Sequence, residues 1–237
     1  MIFYKSSTMT VVAIIQARMT STRLPGKVLM DIGGRPALEQ MIRRVKQSNR
    51  LDMVAVATTV HATDDPIVAL CARMETPVFR GDEQDVLGRF LGAAQNLRAD
   101  TLVRLTGDCP MHDAAVIDHC IDQFAAGSYD YLSNVRQRTY PDGLDVEVFT
   151  IQALKQSARD AQTKFWREHV TTYIRDTENP GGFEIGSVAQ DHDDSALRWT
   201  LDTAEDLARI RRYFNALPDR FSWRDALKIA PTLELAT

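Results

Sequence analysis

VVAIIQARMTSTRLPGK, residues 11–27, is the stretch on which the reading of this chain turns. Val11 to Ile15 is unbroken apolar sequence, the pattern of a strand buried on both faces, as in a parallel sheet. The turn after it, rich in Ser, Thr, Pro and Gly, carries three cations: Arg18, Arg23 and Lys27. In an open α/β sheet, ligands bind beyond the carboxyl ends of the strands, so a cationic loop leaving such an end is placed to meet an anion. The chain itself is acidic, with net charge −4. It therefore has no general attraction for nucleic acid or an anionic membrane, and any anion must be held locally. Two familiar phosphate loops are excluded: a P-loop needs Gly where Ser21 stands and Ser or Thr where Val28 stands, and G-x-G-x-x-G is absent. A hydroxyl-rich turn with three long cations remains, suited to wrapping a polyphosphate through charge-assisted bonds. A solvated basic loop is its ordinary alternative.

Outward from this stretch, strand-like runs recur at Met53 to Thr58, Pro77 to Arg80 and Thr101 to Leu105, each after a segment of helical spacing. Leu38, Met41, Ile42 and Val45 form one apolar stripe. Ile67, Leu70, Cys71 and Met74 form another, entered through Asp64, Asp65 and Pro66, which read as a cap and first turn. Val86, Leu87, Phe90, Leu91 and Ala94 make a third, and Val116, Ile117, Cys120, Ile121 and Phe124 a fourth. Strand and helix in alternation predict right-handed βαβ crossovers and a parallel sheet. After Tyr129 the rhythm changes: LDVEVF alternates like a strand, and helical segments follow around Leu154 and from Thr163 to Asp176. No linker or repeat divides the chain, so the expectation is one α/β domain over residues 11–237 behind a short N-terminal extension, residues 1–10. The three cysteines lack C-x-x-C spacing, and no apolar stretch is long enough to span a bilayer. The chain reads as a soluble cytoplasmic protein with reduced thiols.

Two carboxylates face the cationic loop in this reading. Asp108, in LTGDCP, ends the strand begun at Thr101. Asp202, in RWTLDTAED, follows the run Leu197 to Leu201 and precedes a helix capped by Thr203, with Asp206 three residues on. Each alone has an ordinary explanation as a turn or cap residue. Together they describe a Mg²⁺ site beside a triphosphate, because Mg²⁺ takes one or two protein carboxylates and completes its shell with phosphate oxygens and water. In YPDGLDVE, Asp145 and Glu147 share a face if the segment is a strand; they could read sugar hydroxyls, ligate metal, or be solvated. In TKFWREHVTTYIRD, helical spacing puts His169 on the apolar side with Phe165, Trp166, Val170, Tyr173 and Ile174, and Tyr173 stands where a zincin would need a second His. The acidic DHDD at residues 191–194 reads as a solvated loop.

QARMTSTRLPGK, ATT, VFRGDEQDVLGRF, VRLTGDCP, YPDGLDVEVF, REHVTTYIR and RWTLDT occur in this order, and the series resembles the spore coat polysaccharide biosynthesis protein F family of cytidylyltransferases. These are relatives of the enzymes that make CMP-sialic acid and CMP-Kdo, and the likeness spans Val11 to Tyr213. It implies a nucleotide-diphospho-sugar transferase fold, a Rossmann-like three-layer α/β/α sandwich with a mostly parallel mixed sheet, and a homodimer. It implies CTP as substrate, with Gln16, Ala17, Arg18, Arg23, Lys27, Thr106, Gly107 and Asp108 around its phosphates. Ala57, Thr58, Arg80, Gly81 and Arg89 fall toward the pyrimidine and ribose. Arg18, Lys27, Asp108 and Asp202 are the implied catalytic residues, and Asp108 and Asp202 the ligands of Mg²⁺. Tyr140, Asp142, Asp145, Glu147, Glu168 and His169 are assigned to an acidic sugar acceptor, which moves His169 from core to sugar contact. Sialate enzymes carry a glycine-rich loop ending in Lys-Asn, whereas Lys27 precedes Val28 here, so sialic acid is not implied. The expected reaction is attack of the anomeric hydroxyl of a 2-keto-3-deoxy sugar acid, or a comparable acceptor, on the α-phosphorus of CTP, releasing pyrophosphate. The rival readings are a metal-dependent glycosyltransferase using Asp145 and Glu147, and a non-catalytic nucleotide- or sugar-binding protein.

Overall fold

A computed structural model describes residues 9–234; most of the expected N-terminal extension, residues 1–8, lies outside the described residues. In chain order the strands are β1 (Val11–Gln16), β2 (Asp31–Ile32), β3 (Arg35–Pro36), β4 (Met53–Thr59), β5 (Val78–Gly81), β6 (Thr101–Thr106), β7 (Tyr131–Ser133), β8 (Glu147–Thr150) and β9 (Ile185–Ser187). The helices are α1 (Ala37–Val45), α2 (Asp65–Arg73), α3 (Val86–Asn96), α4 (Ala114–Ala126), α5 (Ile151–Asp160), α6 (Lys164–Glu168), α7 (Ala204–Ala216) and α8 (Trp223–Glu234). Seven strands make one sheet in the order β5-β4-β1-β6-β8-β7-β9, and β2 and β3 form a separate small hairpin. β1 pairs in parallel with β4 and β6, while β8 pairs antiparallel with both β6 and β7. The sheet is thus mixed and mostly parallel, as the resemblance implies.

Val12, Ala13, Ile14 and Ile15 are fully buried, which is why the first strand has no polar alternation. Ala13 and Ile15 pack into a layer with the stripes of α1, α2 and α4 and with Tyr213 and Trp223 of α7 and α8. Val12 and Ile14 face the opposite layer, built from α3, α5 and the turns at Val170, Tyr173 and Ile174. The predicted stripes are these two cores, and the three cysteines lie reduced and buried. No helix among the described residues is long and apolar enough to cross a membrane.

Three segments depart from the sequence reading. The helix expected from Thr163 to Asp176 stops at Glu168, and His169 leaves it with φ −115° and ψ 62°. The run Val170-Thr171-Thr172 is β-branched and weakly helical, and it gains more from burying Val170 and bonding the Thr171 hydroxyl to Glu147 (2.6 Å). The strand expected from Leu144 begins only at Glu147. Before it, the side-chain amide of Asn134 donates to the Leu144 carbonyl (2.8 Å) and accepts from the Val146 N–H (2.8 Å), standing in for ladder bonds. The run Leu197 to Leu201 is no sheet strand but an extended segment with one bridge, Arg198 to Asp142. Its N–H groups at Trp199 and Leu201 donate to the carbonyls of Asp142 (2.6 Å) and Asp108 (2.7 Å).

The chain leaves β1 toward β4 on one side while β6 lies on the other, so a crevice opens at their carboxyl ends, the switch point at which open α/β sheets bind ligands. Gly107 closes its floor by donating to the Gln16 carbonyl at 2.8 Å. A Cβ there would meet that same oxygen at 2.8 Å, so only glycine allows the approach.

Candidate active site

A cleft of about 390 Å³ occupies this crevice. Its walls come from the first loop (Gln16, Ala17, Arg18, Arg23, Lys27), the end of β6 (Arg104, Thr106, Gly107, Asp108), α3 (Val86, Arg89) and the close of α6 (Glu168, His169).

The loop is held from beneath. Gly26 takes φ +71° and donates to the Met19 carbonyl (2.9 Å), folding the turn back on itself. The Met19 N–H donates to Asp64 Oδ1 (2.8 Å), while Asp64 Oδ2 accepts from Thr58 Oγ1 (2.8 Å), the Thr59 N–H (3.0 Å) and Thr59 Oγ1 (2.6 Å). Asp64, expected as a helix cap, makes no capping bond to α2. Its carboxylate is spent instead on stapling the cationic loop to the end of β4. A turn-type signature such as Thr-Asp-Asp-Pro reports the backbone, not where the side chain is bonded.

Lys27 is the centre of the cleft's charge. Its ammonium donates to Asp108 Oδ2 at 3.0 Å and to Asp202 Oδ1 at 2.8 Å. Asp202 also meets Arg23 at 2.8 Å through Oδ1 and Arg198 at 2.7 Å through Oδ2. Burial works to lower the Lys27 pKa, but the two carboxylates outweigh it and raise the pKa above the usual value. Burial likewise pushes the Asp108 carboxyl up, and Lys27 overrides it to hold the group below the usual carboxylate range. Asp202 is brought here by the Leu201–Asp108 backbone bond and by α7, whose Thr203 and Asp206 form the capping box read from the sequence. Asp206 Oδ2 accepts the Asp202 N–H as well (3.1 Å), so the helix start fixes the carboxylate's backbone.

The donor chemistry suits Mg²⁺. Two hard carboxylates from separate connections already converge on one positive charge, and Mg²⁺ draws only one or two carboxylates from a protein. No group of three or more His, Cys, Asp or Glu side chains is set to hold a metal among the described residues. Arg18 is half exposed and pairs with Glu83 at 3.3 Å. Arg89 is buried, with a guanidinium that donates to the carbonyl of Asp82 and has no carboxylate partner among the described residues. Burial and the neighbouring Arg18 lower its pKa, outweighing the opposing pull of Asp64, Glu83 and Asp82.

Several residues assigned by resemblance lie away from the cleft. Arg80 donates to the carbonyls of Thr59 and His61 (2.8 Å each) and to Asp65 (2.7 Å), bracing the β4 and β5 ends. Ala57 accepts from the Ala17 N–H at 3.2 Å, Thr58 serves Asp64, and Gly81 gives room to Arg89, whose Cγ a Cβ would meet at 2.9 Å. Tyr140 is buried against Trp223 with ring centroids 5.5 Å apart. Asp142 pairs with Arg198 (2.8 Å), and Asp145 takes both arms of Arg138 (2.6 and 2.7 Å). Glu147 is buried and saturated: it accepts from Arg104, Tyr131 and Thr171. Asp145 and Glu147 therefore do not form one carboxylate face, because Asp145 precedes the strand. His169 is exposed on the cleft rim rather than on an apolar stripe, with Glu168 beside it. Arg104 also lines the cleft, outside the residues assigned from the sequence; its signal is a lone cation inside the strand TLVRLT.

Fold and cleft together define a nucleotidyltransferase of Rossmann-like architecture. A cytidylyltransferase family profile matches residues 12–217, and the chain belongs to that family. It is 40% identical over 214 residues to an uncharacterised protein of Methanocaldococcus jannaschii, covering 88% of this chain and 86% of that one. It is 36% identical over 216 residues to the spore coat polysaccharide biosynthesis protein SpsF of Bacillus subtilis, covering 87% of each. Among solved structures, a cytidylyltransferase from Leptospira borgpetersenii superimposes with a TM-score of 0.90 at 35% identity, over 95% of this chain and 97% of that one. The enzyme is a nucleotidyltransferase that uses CTP, and the glycosyltransferase and binding-protein readings fall away.

Proposed function

We propose that this enzyme activates an acidic sugar, a 2-keto-3-deoxy sugar acid or a comparable acceptor, with CTP, giving a CMP-sugar and pyrophosphate for surface polysaccharide synthesis. The observation that carries the transfer chemistry is the joint hold of Asp108 and Asp202 on Lys27, a buried cation in the wall of a cation-lined cleft. Arg18, Arg23 and Lys27 neutralise the triphosphate and the departing pyrophosphate, and Arg89, lacking a carboxylate partner, adds a charge that an anion can claim. In-line displacement needs no covalent enzyme intermediate, so positioning and charge supply the rate. Asp108 and Asp202 would hold Mg²⁺, which when bound supplies positive charge to phosphate oxygens and eases loss of the acceptor's hydroxyl proton. We assign His169 and Glu168, on the cleft rim formed where α6 ends, to the acceptor. The resemblance supports a homodimer as the assembly.

The test is pyrophosphate release from four nucleoside triphosphates against paired acidic and neutral sugars, with Mg²⁺ and with chelator. Mg²⁺-dependent release from CTP with an acidic sugar is expected. Turnover confined to neutral sugars would remove the acidic acceptor, and undiminished turnover in chelator would remove the metal.

A further inference from the structure

Arg104 sits at the seam of the sheet. Its backbone pairs with Ile14 of β1 on the parallel side and with Glu147 of β8 on the antiparallel side. Its Nε donates to Gln16 Oε1, and Nη1 donates to Glu147 Oε2. Its third nitrogen, Nη2, has no partner among the described residues, and Arg104 lines the cleft. Arginine only donates, so the Gln16 amide must turn its oxygen toward Arg104 and leave its NH₂ group for the cleft, which Gln16 also lines. Two donor groups, Arg104 Nη2 and Gln16 Nε2, are thereby left without protein acceptors at one place.

The mounting of Arg104 is rigid. Glu147 Oε1 accepts from Tyr131 Oη at 2.7 Å and from Thr171 Oγ1 at 2.6 Å, so the carboxylate cannot rotate without breaking three bonds. Thr171 lies two residues beyond His169 on the segment that forms the cleft rim. The same buried carboxylate thus ties Arg104 to the wall assigned to the acceptor. Glu147 also neutralises the Arg104 charge and fixes the guanidinium from within the sheet, so Arg104 offers the cleft a set direction rather than a free charge. The polyphosphate has Arg18, Arg23, Lys27 and Arg89. A neutralised, fixed fork of N–H donors selects by shape, and the shape it matches is a planar carboxylate.

We propose that Arg104 is the specificity-determining residue for the acceptor's carboxylate, with Gln16 and Glu147 as the residues that position it. The assignment rests on the acidic-acceptor reading above. It is tested by measuring KM for a 2-keto-3-deoxy sugar acid and for its carboxamide, together with the Kd for CTP. The enzymes compared are wild type, Glu147→Gln, and the double variant Arg104→Met/Glu147→Gln, which removes both charges and so leaves no buried ion unpaired. Wild type should favour the acid over the amide by about a hundredfold or more, as expected where a site's donors lose their acceptor. Glu147→Gln should keep most of that ratio with a raised KM, and the double variant should bring the ratio to within about threefold at unchanged CTP affinity. An acid-selective wild type whose selectivity survives in the double variant overturns the role of Arg104 and leaves the acidic acceptor standing. A wild type that turns over only neutral sugars overturns both. A double variant that folds but loses CTP affinity assigns Arg104 to the nucleotide instead.

Discussion

One ammonium shared by two carboxylates is the residue-scale fact on which the cleft depends. On the proposed function Lys27 meets the triphosphate, so Lys27→Ala should slow turnover by about a hundredfold, or about 3 kcal/mol. It also leaves Asp108 facing Asp202 without the charge between them. Melting of the free protein should therefore fall slightly, and added Mg²⁺ should restore it, which thermal scans with and without the ion will read. Asp108 and Asp202 answer to the same partner, so their asparagine variants should not act independently. The double variant should differ from the sum of the singles by about 1–3 kcal/mol in Mg²⁺-CTP affinity, measured by calorimetry. Strict additivity would show that the two groups serve separate ligands. The loop cations and Asp108 were legible in the sequence because they lie in the connections that leave the ends of β1 and β6, and Asp202 because it stands just before the capping box of α7. The surroundings of Arg80, Tyr140 and Glu147 were not, since their side chains turn to carbonyls, to Trp223 and to Arg104. Side-chain direction at the end of an element is a tertiary outcome.

At the scale of elements, the connection before β8 shows how a short irregular segment sets the site. Gly143 holds φ +113°, and a Cβ on it would lie 2.7 Å from the Trp199 carbonyl carbon. The clash is with backbone, which cannot swing aside. Gly143→Ala should therefore cost about 3 kcal/mol in denaturant unfolding. It should also weaken CTP binding, because the segment it displaces, Leu197–Leu201, delivers Asp202 to Lys27. Loss of stability with intact CTP affinity would show that Asp202 is held by α7 alone. The parallel half of the sheet was legible from periodicity: three buried strands, the half-buried β5 and their helical stripes repeat the same pattern. The second half was less so. LDVEVF and RWTLD alternate like strands, yet Asn134 and the Asp142–Arg198 bridge take the bonds a ladder would have made. Helical spacing through His169 failed for a related reason, as β-branched residues and a bond to Glu147 drew the chain off its helix.

For the molecule as a whole, His112 couples stability to pH. It lies fully buried between β6 and α4 with both ring nitrogens unpartnered, and burial lowers its pKa to about 4. A depressed histidine pKa means that the unfolded chain binds the proton more readily between pH 6.5 and 4. The neutral ring's contribution is complete above about pH 6.5 and is lost as pH falls toward 4, amounting to about 3 kcal/mol across that window. Urea unfolding at pH 7 and pH 4.5 should show that slope, and His112→Leu should flatten most of it. An unchanged slope would assign the acid sensitivity to the carboxylates. The sheet's order has a further consequence, one that concerns synthesis. Lys27 and Asp202 lie 175 residues apart in sequence, so at about 5–20 residues per second the ribosome takes on the order of 9–35 s to deliver the second carboxylate after the lysine. A growing chain passes that interval with Lys27 synthesised and its second carboxylate still to come. A transcript cut short anywhere in the span yields a polypeptide without Asp202, which cannot close the charge triad.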